Sequence, residues 1–198
     1  MSEIKLDYLN LHKIISYGCP VNIIITERGK GKSFALKDYC INKFIKKDYQ
    51  FLYLRRYDNE LKSIFQETKG VKRDFFNDIR NKYENFELEA KNRQFLINKE
   101  TFGIAKRMTE AQDLKSTENS NIKTIFIDDP IGHFDDLNVL SFIDVIRTII
   151  SETDWQIIIS THEENFYEIM KVKLNPQYYN SKFLVFKDEG IVVEDEVM

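Results

Sequence analysis

Residues 21–33 read VNIIITERGKGKS, and this stretch contains three consecutive structural signals. Val21–Ile25 is short, almost wholly apolar and β-branched, which is typical of a strand that is buried on both faces of a sheet. A glycine-rich turn follows, and residues 31–47 then show the apolar spacing of an amphipathic helix. A strand, a glycine-rich turn and a helix in this order predict a phosphate-binding loop.

The chemistry of such a loop assigns a role to its residues. Consecutive backbone N–H groups would face phosphate oxygens, and the N-terminus of the helix adds partial positive charge. Lys32 would reach the β- and γ-phosphates of ATP, and Ser33 would ligate Mg²⁺. The usual pattern begins with glycine, whereas Thr26 stands at that position here. The predicted nucleotide-binding residues of the loop are Thr26, Glu27, Arg28, Gly29, Lys30, Gly31, Lys32 and Ser33.

Two carboxylates follow the next strongly apolar run, IKTIFI at residues 122–127. A phosphate-binding loop needs a carboxylate on a neighbouring strand to hold Mg²⁺, and usually a second one to polarise the attacking water. Asp128 is predicted to be the metal ligand together with Ser33. Asp129 is predicted to be catalytic, although glutamate is commoner at that position and is one methylene longer.

A third strand, QIIIS at residues 156–160, ends in Thr161 and His162. Polar residues there would sense the γ-phosphate or hydrogen-bond the attacking water. Thr161 has a second interpretation as the N-cap of a helix, because Glu164 follows it in the spacing of a capping box. Both interpretations of Thr161 stay open at the level of the sequence.

The rest of the chain alternates strands with helices. Further strands are predicted at residues 51–54, 86–90, 94–97, 101–105, 183–186 and 191–194, the last two forming a terminal hairpin, and further helices at residues 59–83, 137–151 and 163–173. Such alternation predicts an α/β fold with a central, mostly parallel sheet flanked by helices. We therefore expect a P-loop NTPase that forms one domain over residues 1–198. Its loop and acidic strand end resemble those of the additional-strand NTPases, such as RecA and terminases, which implies a sheet of that type.

Composition sets limits on the function. The 198 residues have a formal net charge of −3, which argues against a wholly basic nucleic-acid binder, although residues 41–116 hold 17 Lys and Arg against 12 Asp and Glu. Two cysteines and three histidines without metal-ligand spacing argue against a disulfide framework and a zinc site. No apolar run approaches the roughly 20 residues of a membrane span, so we expect no membrane partner.

Residues 22–61 resemble the ATPase domain of the DNA packaging, or encapsidation, proteins of small tailed podoviruses. The loop of that family contains an internal arginine, which Arg28 matches, and Arg55 and Arg56 match an Arg-Arg-Tyr motif after the second strand. The resemblance continues through residues 95–97, 115–116 and 124–129. It covers about two-thirds of the chain, with several motifs in the same order and at similar spacing.

The resemblance implies an ATP-hydrolysing motor that forms a homo-oligomeric ring and translocates double-stranded DNA into a phage procapsid, with the portal as a further partner. It places the protein in the cytoplasm of the infected host, transiently bound to the procapsid. Contact with DNA would be to the backbone and independent of sequence. The resemblance adds Arg55 and Arg56 to the nucleotide-binding residues, and it implies catalytic roles for Arg28 in cis and for Lys115 or Arg147 in trans.

Three observations keep alternatives open. Members of that family usually have a C-terminal nuclease-like domain, and we expect none within these 198 residues. Residues 128–138 and 160–162 also resemble SMC-type ABC ATPases, which implies an enzyme of DNA repair or defence that dimerises on ATP. Gln112 and Asp136 would then meet the partner's nucleotide, and His162, which resembles the switch histidine, would matter most. The departures at Thr26 and Asp129 fit a third possibility, a nucleotide-binding regulator that hydrolyses little ATP.

Overall fold

The computed structural model describes residues 4–5, 11, 15, 19–27, 31–55, 57–65, 75–107, 110, 121–130, 136–187 and 191–195. Its elements in chain order are β1 Ile4–Lys5, β2 Val21–Ile25, α1 Lys32–Lys47, β3 Gln50–Arg55, α2 Asp58–Phe65, β4 Phe86–Glu89, β5 Gln94–Ile97, β6 Glu100–Arg107, β7 Ile122–Asp128, α3 Asp136–Glu152, β8 Gln156–Thr161, α4 Glu164–Lys173, α5 Pro176–Tyr179, β9 Ser181–Phe186 and β10 Ile191–Glu194. Among the described residues, no helix is long and apolar enough to cross a membrane.

Two compact units are formed, and the first consists of Met1–Ala35 and Ile127–Met198. Its strand order is β1-β10-β9-β2-β8, and β2 pairs in parallel with both β8 and β9. Strands β9 and β10 pair antiparallel, which confirms the predicted terminal hairpin. Helix α4 packs against β2 and β8 with Phe166 and Met170 buried. The apolar run of β2 is thus buried as its sequence predicts, because β2 lies inside the sheet and α4 packs against it.

The second unit, Leu36–Phe126, has the strand order β7-β3-β6-β5-β4. Strand β3 pairs in parallel with β6, whereas β4, β5 and β6 form an antiparallel meander. Its core is aromatic: the rings of Phe51 and Phe95 stack with centroids 5.5 Å apart, and those of Phe76 and Phe86 stack at 4.3 Å. Parallel central strands with antiparallel pairs at the edges agree with the predicted mostly parallel sheet.

The helix predicted over residues 59–83 is wrong in its second half. Helix α2 ends at Phe65, and residues 75–82 form hydrogen-bonded turns, while residues 66–74 lie outside the described residues. The rings of Phe75 and Phe76 both join the aromatic core, since Phe75 stacks on Phe95 at 4.9 Å and Phe76 on Phe86. Turns, and not a continuation of α2, thus bring both of these adjacent rings to the aromatic core.

Polar contacts with α1 hold these turns in place. The Asp38 carboxylate accepts hydrogen bonds from Lys82 at 2.6 Å and from the Tyr83 hydroxyl at 2.8 Å, and Lys37 lies 2.8 Å from the Asp78 carboxylate. Burial and the Asp38 charge raise the pKa of the Tyr83 phenol. Lys37 and Asp38 of α1 therefore find their polar partners in and next to the turns that replace the predicted helix.

Gly103 lies in β6 directly opposite Phe51 of β3, and a Cβ on residue 103 would collide with the Phe51 ring. We expect Gly103→Ala to lower the free energy of unfolding by about 1–3 kcal/mol, the usual cost of an overpacked core. Adding Phe51→Leu should recover part of this loss, because the smaller side chain makes room for the methyl group. Urea unfolding of both proteins measures the effect, and a neutral Gly103→Ala would contradict this packing.

Burial lowers the pKa of Lys43 to about 8, and its ammonium lies 4.9 Å from the centroid of the Tyr39 ring. An unfolded lysine titrates near about pH 10.4. Between these values the unfolded chain binds more protons than the folded chain, so the contribution of Lys43 to stability rises with pH. We expect Lys43→Met to be more stable than the wild type below pH 8, with the difference shrinking towards pH ~10.

Urea unfolding of both proteins at a series of pH values measures this difference. The comparison is needed because burial also raises the pKa of Cys40 to about 12, which makes the stability of both proteins fall with rising pH. Subtracting one protein from the other removes that shared contribution. A difference that stays constant from pH 7 to pH 10 would contradict the buried position of the Lys43 ammonium.

Candidate functional site

The predicted phosphate-binding loop joins β2 to α1 in the first unit. Thr26 is buried and Glu27 is exposed at the end of β2, and Gly31 stands before the first residue of α1. Gly31 has a φ of +79°, a left-handed conformation that glycine adopts without steric cost. Arg28, Gly29 and Lys30 lie outside the described residues. The described flanks thus confirm the predicted strand before the loop and the predicted helix after it.

Lys32 is the first residue of α1, and its charged side chain is buried, which is unusual for a lysine. The residue is only 9% exposed, and its ammonium has no hydrogen-bond partner among the residues that the structure describes. A buried charge without a partner is unfavourable, and an anion at the N-terminus of the helix would relieve it. Ser33 follows and is half-buried. The position of the Lys32 ammonium therefore fits a phosphate group.

Asp128 and Asp129, at the end of β7, are both held by Ser160 of β8. The Ser160 hydroxyl donates to Asp128 Oδ1 at 2.6 Å, and the Asp129 N–H donates to the Ser160 carbonyl oxygen at 2.8 Å. Asp129 has a φ of +52°, a left-handed conformation that costs a residue with a side chain roughly 1 kcal/mol or more. Such strain persists only where the surrounding structure holds it, and it is frequent at functional sites.

His162 contacts the second of these carboxylates. Its Nδ1 lies 2.6 Å from Asp129 Oδ1, and its Nε2 lies 3.2 Å from Glu163 Oε1. The side chains of His162 and Asp129 are 18% and 25% exposed, so a small molecule can reach both. The sequence predicted a role for each residue but not their contact. The sequence pattern that marked these two residues was an acidic residue and a histidine that each directly follow an apolar strand.

Thr161 is fully buried, and it joins the end of β8 to the end of β2. The Thr26 N–H donates to the Thr161 carbonyl oxygen at 3.1 Å, and the Thr161 hydroxyl accepts from the Glu163 N–H at 3.1 Å. Helix α4 begins at Glu164 with Glu163 as its N-cap. The capping-box interpretation of Thr161 is therefore wrong, because β8 continues through Thr161 and the helix starts two residues later than that motif requires.

Two of the arginines with predicted roles, Arg55 and Arg147, contact residues outside the predicted site. Arg55 ends β3 in the second unit, where its Nε is 3.6 Å from a Glu60 carboxylate oxygen. Arg147 of α3 donates to the carbonyl oxygen of Lys173 at 2.7 Å, and its guanidinium lies 5.2 Å from the centroid of the Tyr179 ring. Its role in trans stays a prediction, and that role would require these contacts to break. Arg56 and Lys115 lie outside the described residues.

Ser33 and Asp128 are the candidate ligands of Mg²⁺. Within the described part of the chain, no cluster of three or more His, Cys, Asp or Glu side chains would bind a metal ion alone. Mg²⁺ commonly takes one or two protein ligands and completes its coordination with water and substrate phosphates. A hydroxyl and a carboxylate therefore fit a magnesium ion that binds together with a nucleotide.

Comparison with known proteins gives concordant results. Residues 4–186 match the family of Podovirus DNA encapsidation proteins (Gp16). The DNA packaging protein of Bacillus phage phi29 is 36% identical over 133 residues, which make up 67% of this chain and 38% of that protein. The chain therefore spans well under half the length of this relative.

Two solved structures resemble the chain. The N-terminal domain of the DNA packaging ATPase from bacteriophage phi29 has a TM-score of 0.68 and 26% identity, covering 92% of this chain and 97% of that one. A chain of the bacteriophage phi29 viral genome packaging motor assembly has a TM-score of 0.62 and 27% identity, covering 96% of this chain and 58% of that one. These likenesses confirm the predicted fold class.

The Lys32 ammonium has no hydrogen-bond partner among the described residues, so replacing Lys32 should affect the free energy of unfolding in opposite directions without and with Mg-ATP. We expect Lys32→Met to raise the free energy of unfolding of the nucleotide-free protein by about 1–3 kcal/mol, because it removes an uncompensated buried charge. The same substitution should abolish the stabilisation that Mg-ATP gives the wild type. Urea unfolding with and without Mg-ATP measures both effects. Lys46→Met, which removes an exposed charge from the same helix, should change neither, and a Lys32→Met protein that still gains stability from Mg-ATP would contradict the assignment.

Proposed function

The chain belongs to the family of podovirus DNA encapsidation proteins, and on that premise we propose that it is the ATP-hydrolysing unit of a motor that moves double-stranded DNA into a phage procapsid. The single observation that supports this most directly is the ammonium of Lys32 at the start of α1, which is buried and has no hydrogen-bond partner among the described residues. It stands in a unit that also holds two carboxylates at the end of β7. A cation for phosphates and carboxylates for metal and water are the groups that nucleotide hydrolysis needs.

The residues divide into three roles. Mg²⁺ supplies charge neutralisation on the phosphates when bound, and Ser33 and Asp128 would hold it. Asp129 would orient the attacking water, and cations would stabilise the charge of the transition state. The nucleotide would be bound by Thr26, Glu27, Arg28, Gly29, Lys30, Gly31, Lys32, Ser33, Arg55 and Arg56, its γ-phosphate would be sensed by Thr161 and His162, and the stabilising cations would be Arg28 in cis and Lys115 or Arg147 in trans.

The wider assembly follows from the family. The phi29 relatives are a DNA packaging protein and a component of a genome packaging motor assembly. We propose by analogy that this chain forms a homo-oligomeric ring, binds the backbone of double-stranded DNA regardless of sequence, and works on the portal of a procapsid in the cytoplasm of the infected host. A ring would place Arg147 or Lys115 of one copy near the nucleotide of the next.

An SMC-like ATPase remains the second candidate, and the contact of His162 with Asp129 is the observation that favours it. It would act as a two-fold dimer that closes on ATP. Family membership over residues 4–186 favours the packaging motor. The mass of the protein in the presence of a non-hydrolysable ATP analogue distinguishes the two candidates. The motor would have the mass of a closed ring, and the alternative would have the mass of a dimer.

Steady-state ATP hydrolysis by the full chain tests the proposal. We expect double-stranded DNA to stimulate turnover, with a stimulation that weakens as salt rises, because DNA contacts displace counterions. Lys32→Ala and Asp129→Asn should each lower turnover by roughly 100-fold or more, since one removes phosphate binding and the other the water-orienting carboxylate. Glu168→Gln, which neutralises an exposed carboxylate on α4, is the matched control and should leave turnover unchanged. A rate of hydrolysis that DNA does not change, together with the mass of a dimer, would contradict the proposal of a motor.

A further inference from the structure

Asp129 is held at two points, by Ser160 within β8 and by His162 directly after the end of that strand. Its backbone N–H is bonded to the Ser160 carbonyl oxygen at 2.8 Å, and its carboxylate meets the His162 ring at 2.6 Å. These contacts fix a residue whose φ of +52° is unfavourable for a side chain with a Cβ. Both the main chain and the side chain of Asp129 are thus oriented from the neighbouring strand.

We propose that His162 is a positioning residue that allows the short side chain of Asp129 to serve as the water-orienting carboxylate. A carboxylate one methylene longer would reach the water from the same backbone position with its own torsional freedom. Asp129 instead takes the position of its carboxylate from a strained backbone and from a hydrogen bond to His162 Nδ1. That bond engages Oδ1, and Oδ2 is then the acceptor for the attacking water.

The ring of His162 is itself oriented. Its Nε2 lies 3.2 Å from Glu163 Oε1, on the side opposite Asp129. Both ring nitrogens are therefore within hydrogen-bond distance of a carboxylate oxygen, and only a doubly protonated ring donates to both. In every arrangement that keeps the Asp129 contact as a hydrogen bond to the carboxylate, Nδ1 has the proton. Nδ1 is therefore the nitrogen that positions Asp129, whereas Nε2, on the other side of the ring, faces Glu163.

This inference rests on the proposed function, because it assigns His162 a part in ATP hydrolysis. The test therefore has one readout that needs hydrolysis and one that does not. The absence of hydrolysis by the wild-type chain with DNA would overturn the proposed function. Hydrolysis that His162→Ala leaves unchanged would overturn only the role of His162.

A double-mutant cycle measures whether the two side chains act as one unit. We expect His162→Ala to lower kcat roughly 10- to 100-fold, the usual cost of losing a group that orients a functional side chain, with the Kd for nucleotide changed by less than about three-fold. In an Asp129→Glu background the same substitution should lower kcat by less than about three-fold, because the longer carboxylate no longer depends on the ring. Equal losses in both backgrounds, or a loss confined to nucleotide affinity, would overturn the proposal.

Two near-isosteric substitutions then identify the nitrogen that acts. Asparagine places its amide nitrogen close to the position of Nδ1, and glutamine places it close to Nε2. We expect His162→Asn to retain kcat within about three-fold of the wild type and His162→Gln to fall with His162→Ala. Glu168→Gln, which neutralises an exposed carboxylate on α4 that does not contact His162, is the control for a general effect of charge and should leave kcat unchanged. Activity retained by the glutamine variant and lost by the asparagine variant would show that Nε2 acts and would overturn the proposal.

Nitrogen NMR of the histidine rings in the nucleotide-free protein gives the readout that needs no hydrolysis. The chain has three histidines, so His162 can be assigned with a single His162→Asn sample. We expect a protonated Nδ1 whose resonance shifts in Asp129→Asn. An unprotonated Nδ1 in the wild type would overturn the proposal whatever the ATPase measurements show.

Discussion

The parallel pairing of β2 with β8 is the constraint on which the candidate site depends. Their register matches Ile25 with Thr161, so both strands end at the same edge. Ligands of open parallel sheets bind at the carboxyl ends of strands, because the loops that leave those ends converge there. The same register ties Thr26 to Thr161 through the backbone. The loop before Lys32 and the residues around His162 therefore start from fixed and adjacent points.

Two locally unfavourable features stand in the first unit, and they suggest that the site is optimised for a ligand and not for stability. One is the Lys32 ammonium, which is buried without a partner among the described residues. The other is the left-handed backbone of Asp129. Functional sites commonly retain such costs, and a well-packed surrounding sheet compensates for them. The mostly apolar, buried strand β2 and the wholly buried strand β8 provide that surrounding here.

The sequence predicted those parts whose signals are local. The strand and helix around the phosphate loop have clear periodicity, and Asp128 follows a run that is too apolar for anything but a buried strand. The contact of Asp129 with His162 joins residues 33 positions apart, and its geometry depends on a left-handed residue that no pattern marks. The turns at residues 75–82 were missed because their polar and apolar residues fit a helix, while the burial of Phe75 and Phe76 is a tertiary effect.

Helix α5 was missed although a local signal existed. Pro176 is its first residue, and the Asn175 side chain accepts a hydrogen bond from the Gln177 N–H. Asparagine at the N-cap followed by proline is a recognised start of a helix. Its four residues are too few to show any apolar periodicity, so apolar spacing alone does not predict this helix.

The buried ammonium of Lys32 also bears on how long an individual molecule survives in the cell. Binding stabilises a protein by an amount that grows with the logarithm of ligand concentration, about 2.7 kcal/mol at 100 times the Kd. A chain with a buried charge that the described residues do not pair starts from a lower stability, so a larger share of its free energy of unfolding would come from a bound anion. Molecules without that ligand would open more often and be degraded first. The concentration of the ligand would then influence the abundance of the protein.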